Sequence, residues 1–162
     1  MQEKTEACEN LKREKRLYLR QNRKMIIGYT TGVFDLFHIG HLNMLKNAKG
    51  MCDKLIVGVT TDELVAYKNK KAVIPLDERI EIVRNIKGVD VAIPQNNMDK
   101  FEAWKKLKYD ILFVGDDWYD TEKWVQYEEQ LKEVGVKIVY FLYYKGTSST
   151  LINETLLKLR NE

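Results

Sequence analysis

Apolar and polar positions along the chain alternate between short apolar runs and helical patterns. Met25-Ile26-Ile27-Gly28-Tyr29 is brief and apolar enough to be a buried strand, and Leu42 to Ala48 reads as the helix that follows it. A second buried strand is expected at Lys54 to Thr60, with further strands at Val89 to Ile93, Ile111 to Val114 and Val136 to Leu142. Helical patterns fall at about 77–87, 98–108, 121–134 and 149–160. Strand, helix and strand in close order imply parallel pairs joined by right-handed crossovers. The alternation predicts a Rossmann-like, doubly wound α/β fold, a mostly parallel five-stranded sheet with helices on both faces. Ligands on such sheets bind at the carboxyl ends of the strands, so Asp35, His38 and the turn after Val114 are expected to converge.

Between the first strand and its helix lies Thr30-Thr31-Gly32-Val33-Phe34-Asp35-Leu36-Phe37-His38-Ile39-Gly40-His41. The first amide N–H groups of a helix have no partner inside it and, with the helix dipole, form a seat for a phosphate. Gly32 and Gly40 remove side-chain bulk where a ligand must approach the backbone. His38 and His41, the chain's only histidines, share a face if both lie on the first helical turn. An imidazole there donates to phosphoryl oxygens where negative charge accumulates. A pair of ordinary capping or core histidines is the plainer alternative.

Composition narrows the class. At 162 residues the chain suits one domain with a real core, residues 25–162, preceded by a mixed-charge extension, Met1 to Lys24. That extension carries eight Lys or Arg against four Glu, so the net charge of +3 leaves the remaining 138 residues at minus one. A nucleic-acid binder is expected to show a basic stripe on its folded body, and none is evident. The extension reads as a marginal helix with a thin stripe of Ala7, Leu11, Leu17 and Tyr18; translation from Met25 is an equally open start. Without an apolar run of transmembrane length or a leader pattern, the expected home is the cytoplasm, with Cys8 and Cys52 as reduced thiols.

Three further stretches carry candidate chemistry. Lys68-Asn69-Lys70-Lys71, ahead of Pro75, can fold over a triphosphate as an electrostatic lid, although a solvated charge run would read the same way. Gly115-Asp116-Asp117-Trp118 follows the fourth strand, where glycine admits a planar base and the carboxylates accept from sugar hydroxyls or an exocyclic amine. Gly146-Thr147-Ser148-Ser149-Thr150 opens the last helix, where hydroxyls serve as caps or as donors to outer phosphates.

Together these residues resemble a known family. Gly32-Val33-Phe34-Asp35 followed by His38-Ile39-Gly40-His41 is similar to the signature of the H-x-G-H nucleotidyltransferases. The same spelling occurs in class I aminoacyl-tRNA synthetases, but this chain is far shorter and lacks a K-M-S-K-S loop. The G-D-D-W stretch resembles the cytidylyltransferase branch, in particular the glycerol-3-phosphate cytidylyltransferases, from about Met25 to Thr155. The resemblance implies transfer of a cytidylyl group from CTP to a small phosphorylated alcohol, glycerol 3-phosphate, with Mg2+ as cofactor. It also implies a homodimer and a place in supplying teichoic acid or capsule precursors.

By that resemblance His38, His41, Lys68 and Lys70 are catalytic, and Gly32, Val33, Phe34, Asp35, Lys87, Gly115, Asp116, Asp117, Trp118 and Gly146 to Thr150 bind the nucleotide. Arg79 and Lys145 hold the acceptor, and Asp35 approaches the metal through water. The family's R-T-E-G-I-S-T-[ST] pattern is matched at Gly146, Ser148, Ser149 and Thr150, while Tyr143, Tyr144 and Lys145 replace its Arg, Thr and Glu. Lys87 stands where the family has arginine, and Met98 near the place of a family tryptophan. Three alternatives stay open: phosphocholine or another phospho-alcohol as acceptor, ATP as nucleotide, or a non-catalytic nucleotide-binding module.

Overall fold

A computed structural model describes residues 2–67, 70–115, 122–142 and 144–160, with side chains described outside residues 2–8 and Arg20. Its elements run α1 (Gln2–Asn22), β1 (Ile27–Gly32), α2 (Ile39–Gly50), β2 (Lys54–Thr60), α3 (Asp62–Tyr67), α4 (Leu76–Arg84), β3 (Val91–Gln95), α5 (Lys100–Leu107), β4 (Ile111–Gly115), α6 (Glu122–Glu133), β5 (Lys137–Phe141) and α7 (Ser149–Arg160). The five strands form one sheet in the order β3-β2-β1-β4-β5, and every pairing is parallel. This is the Rossmann-like α/β arrangement, with its switch point between β1 and β4.

Both faces of the sheet are covered, which is why the central strands read as continuous apolar runs rather than alternating ones. Leu55, Val57, Val59, Ile111 and Phe113 point to one face, where Leu45 and Ala48 of α2 and Val83 of α4 pack on them. Ile56, Leu112 and Val114 point to the other, against Tyr109, Trp124 and Leu131. Pro94 is tolerated inside β3 because β3 is an edge strand.

Three departures from the sequence pattern have visible causes. β1 starts and ends later than the apolar run: Met25 is exposed, whereas the strand continues through Thr30 because its buried Oγ1 donates to the Phe113 carbonyl at 3.1 Å. β3 begins at Val91, since Asp90 instead accepts from the Leu55 amide and pairs with Lys49. A short helix, α3, is interposed before the lysine run, started by Thr61, whose Oγ1 accepts from the Leu64 amide.

At the amino edge of the sheet, carboxylates replace missing ladder partners. Asp53 Oδ2 accepts from the Ile26 amide at 2.8 Å, and Asp110 Oδ2 from the Ile27 amide at 2.9 Å. Arg23 and Lys24 pair with these same two aspartates, tying the end of the extension to the sheet. The extension itself is helical over 21 residues, with Leu11, Leu17 and Tyr18 exposed. Among the described residues no helix is long and apolar enough to cross a membrane.

Candidate active site

The turn from β1 to α2 is unusual backbone. Phe34 (φ 54°) and Leu36 (φ 48°) both lie in the left-handed region that ordinary side chains avoid. What holds them is visible: Phe34 is 2% exposed in the core, and Asp35 between them accepts from the amides of Leu36, Val73 and Ile74. The turn therefore carries the chain from the strand end to a helix start facing the carboxyl edge of the sheet.

At that helix start the two histidines act as caps. His38 is the N-cap, its Nδ1 accepting from the Gly40 amide at 3.1 Å, and His41 Nδ1 accepts the longer 3.4 Å bond from the His38 amide. An imidazole nitrogen that accepts carries no proton, so each ring bears its hydrogen on Nε2. The rings lie 4.0 Å apart, with His41 flanked by Phe34 and Phe37 at 5.3 Å each. Capping and ligand contact are thus compatible: Nδ1 serves the helix and Nε2–H remains for the cleft. Gly40 makes this possible, because a Cβ there would meet His38 Cε1 at 2.8 Å and Nδ1 at 3.0 Å.

Burial pulls the His41 pKa down from 6.5 to about 4, helped by the neighbouring His38 and opposed by Asp35. Burial also lowers His38. Both rings are neutral donors at pH 7. The folded state prefers the neutral form, so stability is full above the unfolded pKa of 6.5 and falls as pH drops toward 4, by up to about 3 kcal/mol for His41. Thermal unfolding between pH 5 and 7.5 is expected to show Tm rising with pH and levelling above 7. The rate is expected to stay flat from pH 6.5 to 8; a rate that fell as pH rose through 6.5 would make imidazolium the working form.

The histidines line a cavity of about 490 Å³ together with Gly40, Asn43, Met44 and Asn47 of α2, Gly115 at the end of β4, and Phe141, Leu142, Tyr144, Lys145, Ser149 and Thr150. Segments more than a hundred residues apart meet here, clasped by Ser149 Oγ, which donates to the Asp35 carbonyl at 2.6 Å. Two helix starts, those of α2 and α7, converge on this cavity with Lys145, an arrangement that favours an anion. Asn43 and Asn47 were not evident in the sequence; they lie one helical turn apart on the exposed side of an otherwise ordinary helix.

A second cavity of about 460 Å³ opens on the other side of the switch point, lined by Thr31, Gly32, Val33, Thr60, Gln95, Met98, Lys100, Val114 and Gly115, with Tyr67, Lys123, Trp124 and Tyr127. Gly115 borders both cavities. A wider recess beside α1 holds none of the signature residues.

The structure redistributes the expected site. Gly32 and Val33 border the second cavity, and Phe34 is core. Ser148 Oγ accepts from the Leu151 amide, capping α7 while keeping its own proton to donate; the Ser149 proton is already given to Asp35. Gly146 and Thr147 are exposed, Gly146 against the Tyr144 ring. Lys70 is exposed in the connection leading back to the signature turn, and Lys68, Asp116, Asp117 and Trp118 lie outside the described residues.

Two expectations are corrected. Arg79 does not face an acceptor: its side chain is 0% exposed and donates to the carbonyls of Val33, Thr60 and Ile74, with Asp62 as its ion pair. Lys87 does not reach a nucleotide, because α4 runs antiparallel to the strands and delivers it to their amino edge, where the following Gly88 packs on Lys49. Asp35 holds the turn through three backbone amides, which leaves lone pairs on its carboxylate. Among the described residues no three His, Cys, Asp or Glu side chains are grouped to hold a metal ion.

The chain is similar to several known proteins. A glycerol-3-phosphate cytidylyltransferase of Bacillus spizizenii is 35% identical over 137 residues, covering 84% of this chain and 99% of that protein. An FAD synthase of Archaeoglobus fulgidus is 36% identical over 109 residues, covering 67% of this chain and 79% of that protein. Among solved structures, a lipopolysaccharide core biosynthesis protein from Thermoplasma volcanium superposes with a TM-score of 0.63 at 28% identity, over 76% of this chain and 100% of that one. Residues 29–155 match the model of the family described as cytidylyltransferase-like, and it is to this cytidylyltransferase-like family that the chain belongs.

Proposed function

We propose that this chain transfers the cytidylyl group of CTP to glycerol 3-phosphate, giving CDP-glycerol and pyrophosphate. The observation that carries the reading is the meeting of the His38–His41 pair with the start of α7 and Lys145 around one cavity. In the reaction an oxygen of the acceptor's phosphate forms a bond to the α-phosphorus of CTP. The bond from that phosphorus to the bridging oxygen breaks, and pyrophosphate leaves with the electron pair. The nucleophile is already an anion, so the protein positions reactants and stabilises charge without abstracting a proton. The two Nε2–H groups serve the α-phosphate oxygens; Lys145, the Thr150 hydroxyl and the free amides of α7 serve the outer phosphates. Mg2+ would neutralise charge on the phosphates of the nucleotide, with Asp35 as the side chain that would approach it through water.

A second reading, adenylyl transfer from ATP to FMN, draws on the FAD synthase relative and on the apolar and aromatic walls of the second cavity, Tyr67, Met98, Val114, Trp124 and Tyr127. Pyrophosphate release with CTP or ATP, each paired with glycerol 3-phosphate, phosphocholine or FMN in the presence of Mg2+, separates the readings. Turnover with CTP and glycerol 3-phosphate is expected; turnover confined to ATP with FMN would replace the first reading by the second.

A further inference from the structure

We infer that Asn43 and Asn47 of α2 hold the ribose of the nucleotide through its 2′ and 3′ hydroxyls, and so make the enzyme select a ribonucleotide over a deoxyribonucleotide. The inference rests on the proposal that the histidine-lined cavity holds CTP.

Along α2, Gly40, Asn43, Met44 and Asn47 fall at i, i+3, i+4 and i+7, one face of the helix, and all four line that cavity. The core side of the same helix is carried by Leu45 and Ala48, both buried, so packing does not call for asparagine at 43 or 47. Neither does the helix. Asparagine is a poor residue for a helix interior, because its amide competes for backbone groups. That competition is visible at the ends of α1 and α4, where Asn22 and Asn85 each turn Nδ2 back to the carbonyl four residues earlier, at 3.0 and 2.9 Å. Asn43 and Asn47 make no side-chain hydrogen bond among the described residues. Their amides are left for whatever enters the cavity.

The cavity is chemically divided. The starts of α2 and α7, the two imidazoles and Lys145 draw the phosphates to one end. At 1.5 Å per residue, Asn43 and Asn47 lie about 3 and 9 Å further along the helix axis than His41. The ribose hydroxyls follow the α-phosphorus by a few covalent bonds, so with that phosphorus at the Nε2–H groups the sugar falls between these depths. Met44 and Phe141, partly buried against the core, make part of the cavity wall apolar, which strengthens a hydrogen bond formed beside them. A neutral amide is not the group that a phosphate favours, since charged donors bind it more strongly. It suits a hydroxyl, because each is at once donor and acceptor.

The test is pyrophosphate release by the full chain with Mg2+ and glycerol 3-phosphate, supplied with CTP, 2′-deoxyCTP or 3′-deoxyCTP. Wild type is expected to favour CTP over at least one deoxynucleotide by about 10-fold or more in kcat/KM, as for a hydrogen-bonding site left one partner short. Asn47 is exposed and Asn43 half-buried, so water repairs part of the loss and the factor stays below that of an enclosed site. Asn43→Ala and Asn47→Ala are each expected to raise the KM for CTP about 5-fold or more with kcat nearly unchanged, because the ribose is remote from the bonds that change. The preference for CTP is expected to shrink in both, and the acceptor KM to hold. Alanine is the better helix former, so Tm is expected not to fall, which separates a lost contact from lost structure. A wild type that uses all three nucleotides alike overturns the inference, as do variants that lose all three equally. Turnover confined to ATP with FMN would overturn the CTP reading, and ATP against its 2′- and 3′-deoxy forms then decides the asparagines. If no pair turns over, the transferase reading falls, and equilibrium binding of CTP against the two deoxynucleotides decides them by the same ratios.

Discussion

His41→Ala is expected to lower turnover by about two to three orders of magnitude, the usual consequence of removing one preorganised donor to developing charge. His41 is held between the rings of Phe34 and Phe37, with its Nδ1 turned to the His38 amide, so Nε2–H points away from the backbone without rearrangement. The cap it makes is long, 3.4 Å, and its loss is expected to lower stability by about 1 kcal/mol or less. The two effects therefore separate: the variant folds and binds CTP nearly as the parent does, but its kcat collapses. Single-turnover measurement with saturating CTP reads the chemical step directly. Near-normal turnover with weakened CTP binding alone would remove this histidine from the transition state.

Arg79→Leu is expected to destabilise the fold by about 3–5 kcal/mol, a large share of the 5–15 kcal/mol that a domain of this kind typically has. The guanidinium is enclosed and joins three segments: the signature turn through the Val33 carbonyl at 2.6 Å, the end of β2 through Thr60 at 2.8 Å, and the segment before α4 through Ile74 at 2.8 Å. Leucine fills part of the volume but leaves those carbonyls without donors, and each such orphan costs about 1–3 kcal/mol. Asp62 is half exposed and can be rehydrated, so the carbonyls dominate. Urea unfolding measures the loss. A variant of unchanged stability with only a raised acceptor KM would return Arg79 to the role of a substrate contact.

The contrast between these two positions shows what could be read from letters alone. Histidines three apart at the junction of an apolar run and a helix can hardly avoid the first turn of that helix, so their mutual contact follows from local geometry. The arginine has no such local constraint. Its partners are carbonyls at positions 33, 60 and 74, and a backbone carbonyl carries no signature in the sequence. Lys87 was misplaced for a related reason: spacing along a chain does not tell which edge of a sheet a helix end reaches, whereas an antiparallel α4 settles it. Lys100 escaped notice because a lysine opening a helix is commonplace; burial against Thr31 distinguishes it.

The order of elements, the parallel sheet and the anion-seeking turn at residues 30–41 were determined by the sequence alone, since apolar periodicity and helix-start chemistry act over a few residues at a time. Tertiary structure decided which polar groups face a cleft and which face only the protein. It turned Asp35 toward the amides of Val73 and Ile74, enclosed Arg79, brought α7 against the signature turn through Ser149, and divided the carboxyl edge of the sheet into two cavities meeting at Gly115. Those outcomes depend on contacts between residues far apart in the chain, where a polar side chain is claimed by whichever partner folding brings within reach.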